Sequence, residues 1–117
     1  MNSLIKGTLL LGLILWSATS FAQSTVTGEV TDIKCYLASG ASGPDHAKCA
    51  ASCLTAGQPM GLLTSDGKLF ILGIGKDQAQ YESLKQLAGE QAEVTGKVSE
   101  KDGMNMLVVE AAKKSEG

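Results

Sequence analysis

The stretch KLFILGIGKDQAQYESLKQLAGEQAEVTGKVSE, residues 68–100, decides the fold, because it carries strand, helix and strand in one run. KLFILGIG (68–75) is an apolar run of strand length. In DQAQYESLKQLAG (77–89), Ala79, Leu84, Leu87 and Ala88 recur at helical spacing, with Asp77 as N-cap and Gly89 as stop. QAEVTGKVSE (91–100) then returns to alternation. The period passes from two to 3.6 and back to two, so a helix separates two strands.

Working outward, MNMLVVEAA (104–112) alternates again beyond Lys101-Asp102-Gly103, a tight hairpin signal, and a solvated AKKSEG tail follows. On the other side, GLLTS (61–65) precedes KLFILGIG across SDGK, whose Asp66-Gly67 pair is a second hairpin turn. TVTGEVTDIKCYL (25–37) reads as the first strand, with Val26, Val30, Ile33, Cys35 and Leu37 as its apolar members. Its parity slips between Val30 and Ile33, which predicts a bulge or strong coiling. ASGASGPD (38–45) is loop chemistry. HAKCAASCLTAG (46–57) predicts a helix of about ten residues, with either Asp45 as N-cap or Gly43 preceding Pro44 at the first helical position, and Gly57 closing it.

The resulting order is strand, helix, strand, strand, helix, strand, strand. Five strands with a helix between the third and fourth is the order of the OB-fold, a small mainly β Greek-key barrel. Here a Cys/His helix is inserted between strands 1 and 2. Barrel closure suits so short a chain, because it removes sheet edges and leaves a narrow interior that few side chains fill.

The N-terminus predicts export. MNSLIK offers one basic residue, Lys6; GTLLLGLILW is an apolar run of about ten residues, and SATSFAQS supplies small residues for cleavage after Ala22. A spanning helix needs about 20 apolar residues, so residues 1–22 read as a signal peptide and not an anchor. No cysteine follows the cleavage point, so a lipid anchor is not expected. The remaining residues, 23–117, form one small domain in the periplasm or outside the cell. After cleavage, nine lysines face twelve acidic residues and there is no arginine. Nucleic-acid binders are normally basic and use Arg for phosphate, so nucleic acid is set aside as a partner, and no membrane is expected after signal removal. An envelope protein or a small ligand is the partner class that remains.

Three cysteines and one histidine are the chain's concentrated chemistry: Cys35, then His46, Cys49 and Cys53 within HAKCAASC (46–53). On a helix, Cys49 and Cys53 lie about 40° apart and His46 about 20° from Cys53, so all three share a face. If that face meets the strand bearing Cys35, a Cys3His set of tetrahedral Zn composition converges, with Cu(I) also suited to thiolates. The competing reading is a disulfide. A bridge from Cys35 to Cys49 or Cys53 would close a loop of about 15 residues, worth around 3 kcal/mol in the chain-entropy model, whereas Cys49 and Cys53 are poorly directed for a bond within one helix. An odd cysteine count leaves at least one thiol free, metal-bound or cross-linked. Haem attachment lacks its CxxCH run, and hydrolysis lacks an orienting Asp or Asn in the cluster. Met60 reads as a gap-filler beside a turn, Tyr36 as a residue on the far strand face from Cys35, and Met104 and Met106 as barrel core rather than a copper-binding array.

The segments GEVTDIKCYL (28–37), GPDHAKCAASC (43–53), GQPMGLLTSDGKLFIL (57–72) and EVTGKVSEKDGMNMLVV (93–109) together resemble a group of small exported bacterial proteins with a CYL…HxxCAxxC…GxPxGLL pattern. The resemblance implies an OB-type barrel and export, and leaves activity to the chemistry of the residues.

The expectation is therefore an exported OB-like barrel whose Cys35, His46, Cys49 and Cys53 form a metal site for Zn or Cu, or a redox site, in a binding or electron-transfer accessory rather than an enzyme. The alternative is a disulfide-stapled interaction module without metal.

Overall fold

The computed structural model of the protein describes Gly12 and residues 23–116. The expected signal peptide and its cleavage after Ala22 therefore fall, apart from Gly12, outside the described residues. Among the described residues no helix is long and apolar enough to cross a membrane.

Five strands close into a mainly β barrel in the order β1-β2-β3-β5-β4. They are β1 (Ser24–Asp32), β2 (Met60–Leu63), β3 (Leu69–Ile74), β4 (Gln91–Lys101) and β5 (Met104–Lys114). All pairings are antiparallel except β3 with β5. β1 is shared between two neighbours: Ser24 to Glu29 run beside β4, and Glu29 to Asp32 beside β2. That division bends β1 around the barrel and closes it. The OB arrangement predicted from element order is the one observed.

The interior is apolar and tightly filled. Val30, Leu62, Leu72, Val94, Leu107 and Val109 point inward from the five strands, and Leu54 and Leu84 join the same core from helices. Alternation sets this: in β4, Ala92, Val94 and Gly96 are buried between more open neighbours. The register of β4 against β5 shifts between Thr95 and Gly96. Any Cβ at Gly96 would run into the Val108 carbonyl oxygen, so the strands coil closely where only glycine fits. The β4–β5 turn places Asp102 and Gly103 at φ 53° and 80°, the primed geometry whose twist matches the strands.

Three short helices fill the connections: α1 (Ile33–Ser39) and α2 (Ala47–Thr55) between β1 and β2, and α3 (Gln78–Leu84) between β3 and β4. Asp77 caps α3 as predicted, accepting the Ala79 N–H at 3.1 Å, although Ala79 itself faces solvent. Gly57 ends α2 in a Schellman arrangement, with its N–H donating to Leu54 and that of Gln58 to Cys53.

Three expectations are corrected. The parity slip after Val30 is not a bulge: β1 ends at Asp32, and α1 starts at Ile33, so Cys35 and Tyr36 ride on a helix rather than on strand faces. The β1–β2 connection thus holds two helices instead of one. Met104 is 62% exposed because the β4–β5 hairpin runs on past the closed barrel, and Met106, paired with Ile71 of β3, is 40% exposed because it faces outward where its neighbour Leu107 faces in. Met60 is buried at the start of β2 and does fill core space.

Candidate metal centre

The centre forms where β1 gives way to α1. Asp32, the last residue of β1, is fully buried and accepts the Cys35 N–H at its Oδ1, 2.8 Å away, which caps α1. Ile33 is buried beneath the helix and its N–H reaches the Pro59 carbonyl, fixing the helix start against the entry to β2. Cys35 therefore projects from the first turn of a helix pinned at its N-terminal end.

The approach to α2 is anchored separately. The Gly43 N–H donates to both carboxylate oxygens of Glu29, at 3.0 and 2.9 Å, tying the loop to β1. Pro44 to His46 then form a 3₁₀ turn, with Gly43 and Pro44 in the starting positions that were one of the two predicted options. Ala50 and Leu54 insert into the core from α2, leaving Cys49 and Cys53 on its other side. Beneath α2, Gly89 (φ 79°) passes so close that a Cβ would stand 2.5 Å from that of Ala47. The Gly89 N–H donates to Val30, which locks this crossing onto β1.

The ligand-capable atoms meet in two overlapping groups. In one, the sulfurs of Cys35, Cys49 and Cys53 all lie within 4.8 Å of one another. In the other, Asp32, Cys35 and His46 do the same. All three cysteines carry free thiols. The four residues singled out from sequence are thus brought together, with Cys35 common to both groups. His46 closes on Asp32 rather than joining the three sulfurs, since its 3₁₀ backbone does not follow the helical spacing assumed from sequence. Either group can hold a metal ion.

Asp32 is the member that sequence reading missed. Its Oδ2 lies 2.9 Å from Nε2 of His46, whose side chain is only 16% exposed. Burial pushes the Asp32 carboxyl up, but the Cys35 N–H, the His46 ring and the Cys35 thiol outweigh it and hold the group below the usual carboxylate range. The same contact has the opposite effect on sulfur. The Asp32 carboxylate, then partial burial and the nearby Cys53 thiol, push Cys35 up to about 11. A signal for Asp32 was present: an Asp three residues ahead of Cys35, at the point where alternation fails, is what a helix N-cap looks like.

Compared with models of known protein families, with curated proteins and with solved structures, the chain finds no match.

Cys, His and Asp in contact have the composition of a nucleophilic triad, but the electrostatics run the other way. Activation requires a thiol pKa lowered toward neutrality, and here a carboxylate keeps the Cys35 proton in place. What reverses that balance is a nearby positive charge, and a metal ion supplies one directly.

Proposed function

We propose that this protein is an exported accessory protein that binds a thiophilic transition metal, Zn or Cu(I), through Cys35, Cys49, Cys53 and His46. The observation carrying the proposal is the 4.8 Å clustering of three sulfurs from two separate helices. Tetrahedral metal–sulfur bonds near 2.3 Å place thiolates roughly 3.8 Å apart, so about 1 Å of side-chain movement brings the three sulfurs to that spacing, and His46 reaches the same ion by turning from Asp32 toward them. Asp32, bonded to the His46 ring, holds the imidazole beside Cys35. The signal-peptide reading of residues 1–22 and the resemblance to small exported bacterial proteins support an envelope location for that chemistry.

The test is metal analysis of protein purified without chelators, paired with intact mass before and after thiol alkylation. Metal bound by the native sequence and reduced in Cys49→Ser and Cys53→Ser supports the reading. A mass two hydrogens short, with no metal taken up after reduction, overturns it.

A second reading, an interaction module for an envelope protein or small ligand, is favoured by one observation. A groove of about 410 Å³ runs between α1 and the β2–β3 and β4–β5 turns, lined in part by Ile33, Leu37, Leu69 and Met104. Leu37 is 72% exposed there. In that reading a disulfide from Cys35 staples α1 to α2 beside the groove.

A further inference from the structure

We infer that the cluster is a two-ion centre in which the Cys35 thiolate bridges a sulfur position and a mixed-donor position. The inference rests on the metal-binding reading and extends it to the number and class of ions held. One ion lies among Cys35, Cys49 and Cys53, and the other among Asp32, Cys35 and His46.

Three observations converge. Both groups satisfy the same 4.8 Å limit, and Cys35 is the only residue in both. A thiolate sulfur has lone pairs enough for two metals, so neither position must surrender it. The two carboxylate oxygens of Asp32 are also already divided in their work: Oδ1 accepts the Cys35 N–H and caps α1, while Oδ2 faces His46. An ion between Oδ2 and the imidazole replaces the present hydrogen bond without uncapping the helix. The 2.9 Å separation then widens to roughly 3.3 Å, the spacing of oxygen and nitrogen on one tetrahedral ion.

Charge decides between one ion and two. With all donors bound, three thiolates and one carboxylate carry four negative charges around a buried Asp32. A single divalent ion leaves two of them uncompensated, and a single Cu(I) leaves three, at a site where unpaired charge is costly. Two divalent ions balance the set, with His46 neutral. Loading releases three thiol protons to solvent. The mixed sulfur, nitrogen and oxygen donors select borderline divalent ions of the Zn(II) class. Each ion has three protein donors and keeps one coordination position open.

The experiment is titration of the reduced full-length mature protein with Co(II), following thiolate-to-cobalt charge-transfer absorption and bound metal by mass spectrometry under native conditions. The expected result is two ions per chain. His46→Ala lowers this to one while the charge-transfer band remains, and Cys49→Ser/Cys53→Ser leaves one ion with a weakened band. Circular dichroism of each variant verifies folding. One ion per chain in the native sequence overturns the two-ion centre and leaves the metal-binding reading standing; none overturns both. Two ions that persist in His46→Ala also overturn the inference, because the second ion is then held elsewhere.

Discussion

A single carboxylate joins structure and chemistry at Asp32. It caps α1 and holds His46, so its removal acts on both. In the metal-free protein, Asp32→Asn is expected to lower stability at pH 7 by about 1–2 kcal/mol, combining a weakened cap with loss of an ionic hydrogen bond. Because folding depresses its pKa, the carboxylate's contribution is present above the ordinary carboxyl range, near pH 4, and disappears as pH falls through the lower folded value. Urea unfolding from pH 7 down to pH 3 should show the native and Asp32→Asn curves converging at the acid end; a constant gap would contradict this. Cys35 has the opposite sign. Its folded pKa is raised to about 11, so its neutral form favours folding below the ordinary thiol range, and that advantage is lost as pH climbs from there through about 11. Iodoacetamide at pH 8 should therefore label exposed Cys49 well before Cys35, and Asp32→Asn should speed labelling of Cys35 severalfold. Peptide mass mapping over time reads both. Equal rates in the native protein would refute the shielding of Cys35 by Asp32.

At the level of elements, the site depends on how closely α2 settles on the barrel. Gly89 lies in the left-handed region, and a methyl there would meet Ala47. Gly89→Ala is expected to cost about 2–3 kcal/mol through backbone strain and the forced retreat of α2, read as a lower urea midpoint at unchanged slope. Leu54→Ala empties core space under the same helix and should cost about 2–5 kcal/mol. Both variants should also weaken metal binding while every ligand remains in place. Element existence was largely legible: both hairpin turns, the Asp77 cap and the Gly57 stop stand where sequence placed them, whereas α3 ends at Leu84 and a 3₁₀ turn over Lys85–Leu87 carries the chain on to Gly89. What failed was the boundary at residues 32–33. A seven-residue helix following directly on a strand offers barely two turns of its period, so the switch looks like a slipped alternation.

For the whole molecule, the β1–β2 connection is both the longest insertion and the place where the candidate ligands gather. Metal that binds only the folded chain stabilises it by mass action. At 100 times Kd one ion adds about 2.7 kcal/mol, and for a domain of this size that raises Tm by roughly 10 °C or more. Thermal unfolding with Zn(II) and then with excess chelator should show the rise and its reversal; an unchanged Tm in reduced protein would refute metal-linked stability. Cys49→Ser/Cys53→Ser should shrink the rise.

Sequence by itself determined the barrel order, because periodicity, caps and turn residues act over neighbouring positions and are written locally. It also marked Cys35, His46, Cys49 and Cys53 as the residues of interest, since their types and spacing need no fold to be noticed. Only the tertiary structure decided that Asp32 belongs with them, that Cys35 stands on a helix shared by two donor groups, and that Met104 and Met106 lie outside the core. Those outcomes depend on where β1 ends, how far the β4–β5 hairpin overruns the barrel and which face of β5 turns inward. All are settled by packing between segments tens of residues apart, of which the sequence carries only the local N-cap signal at Asp32.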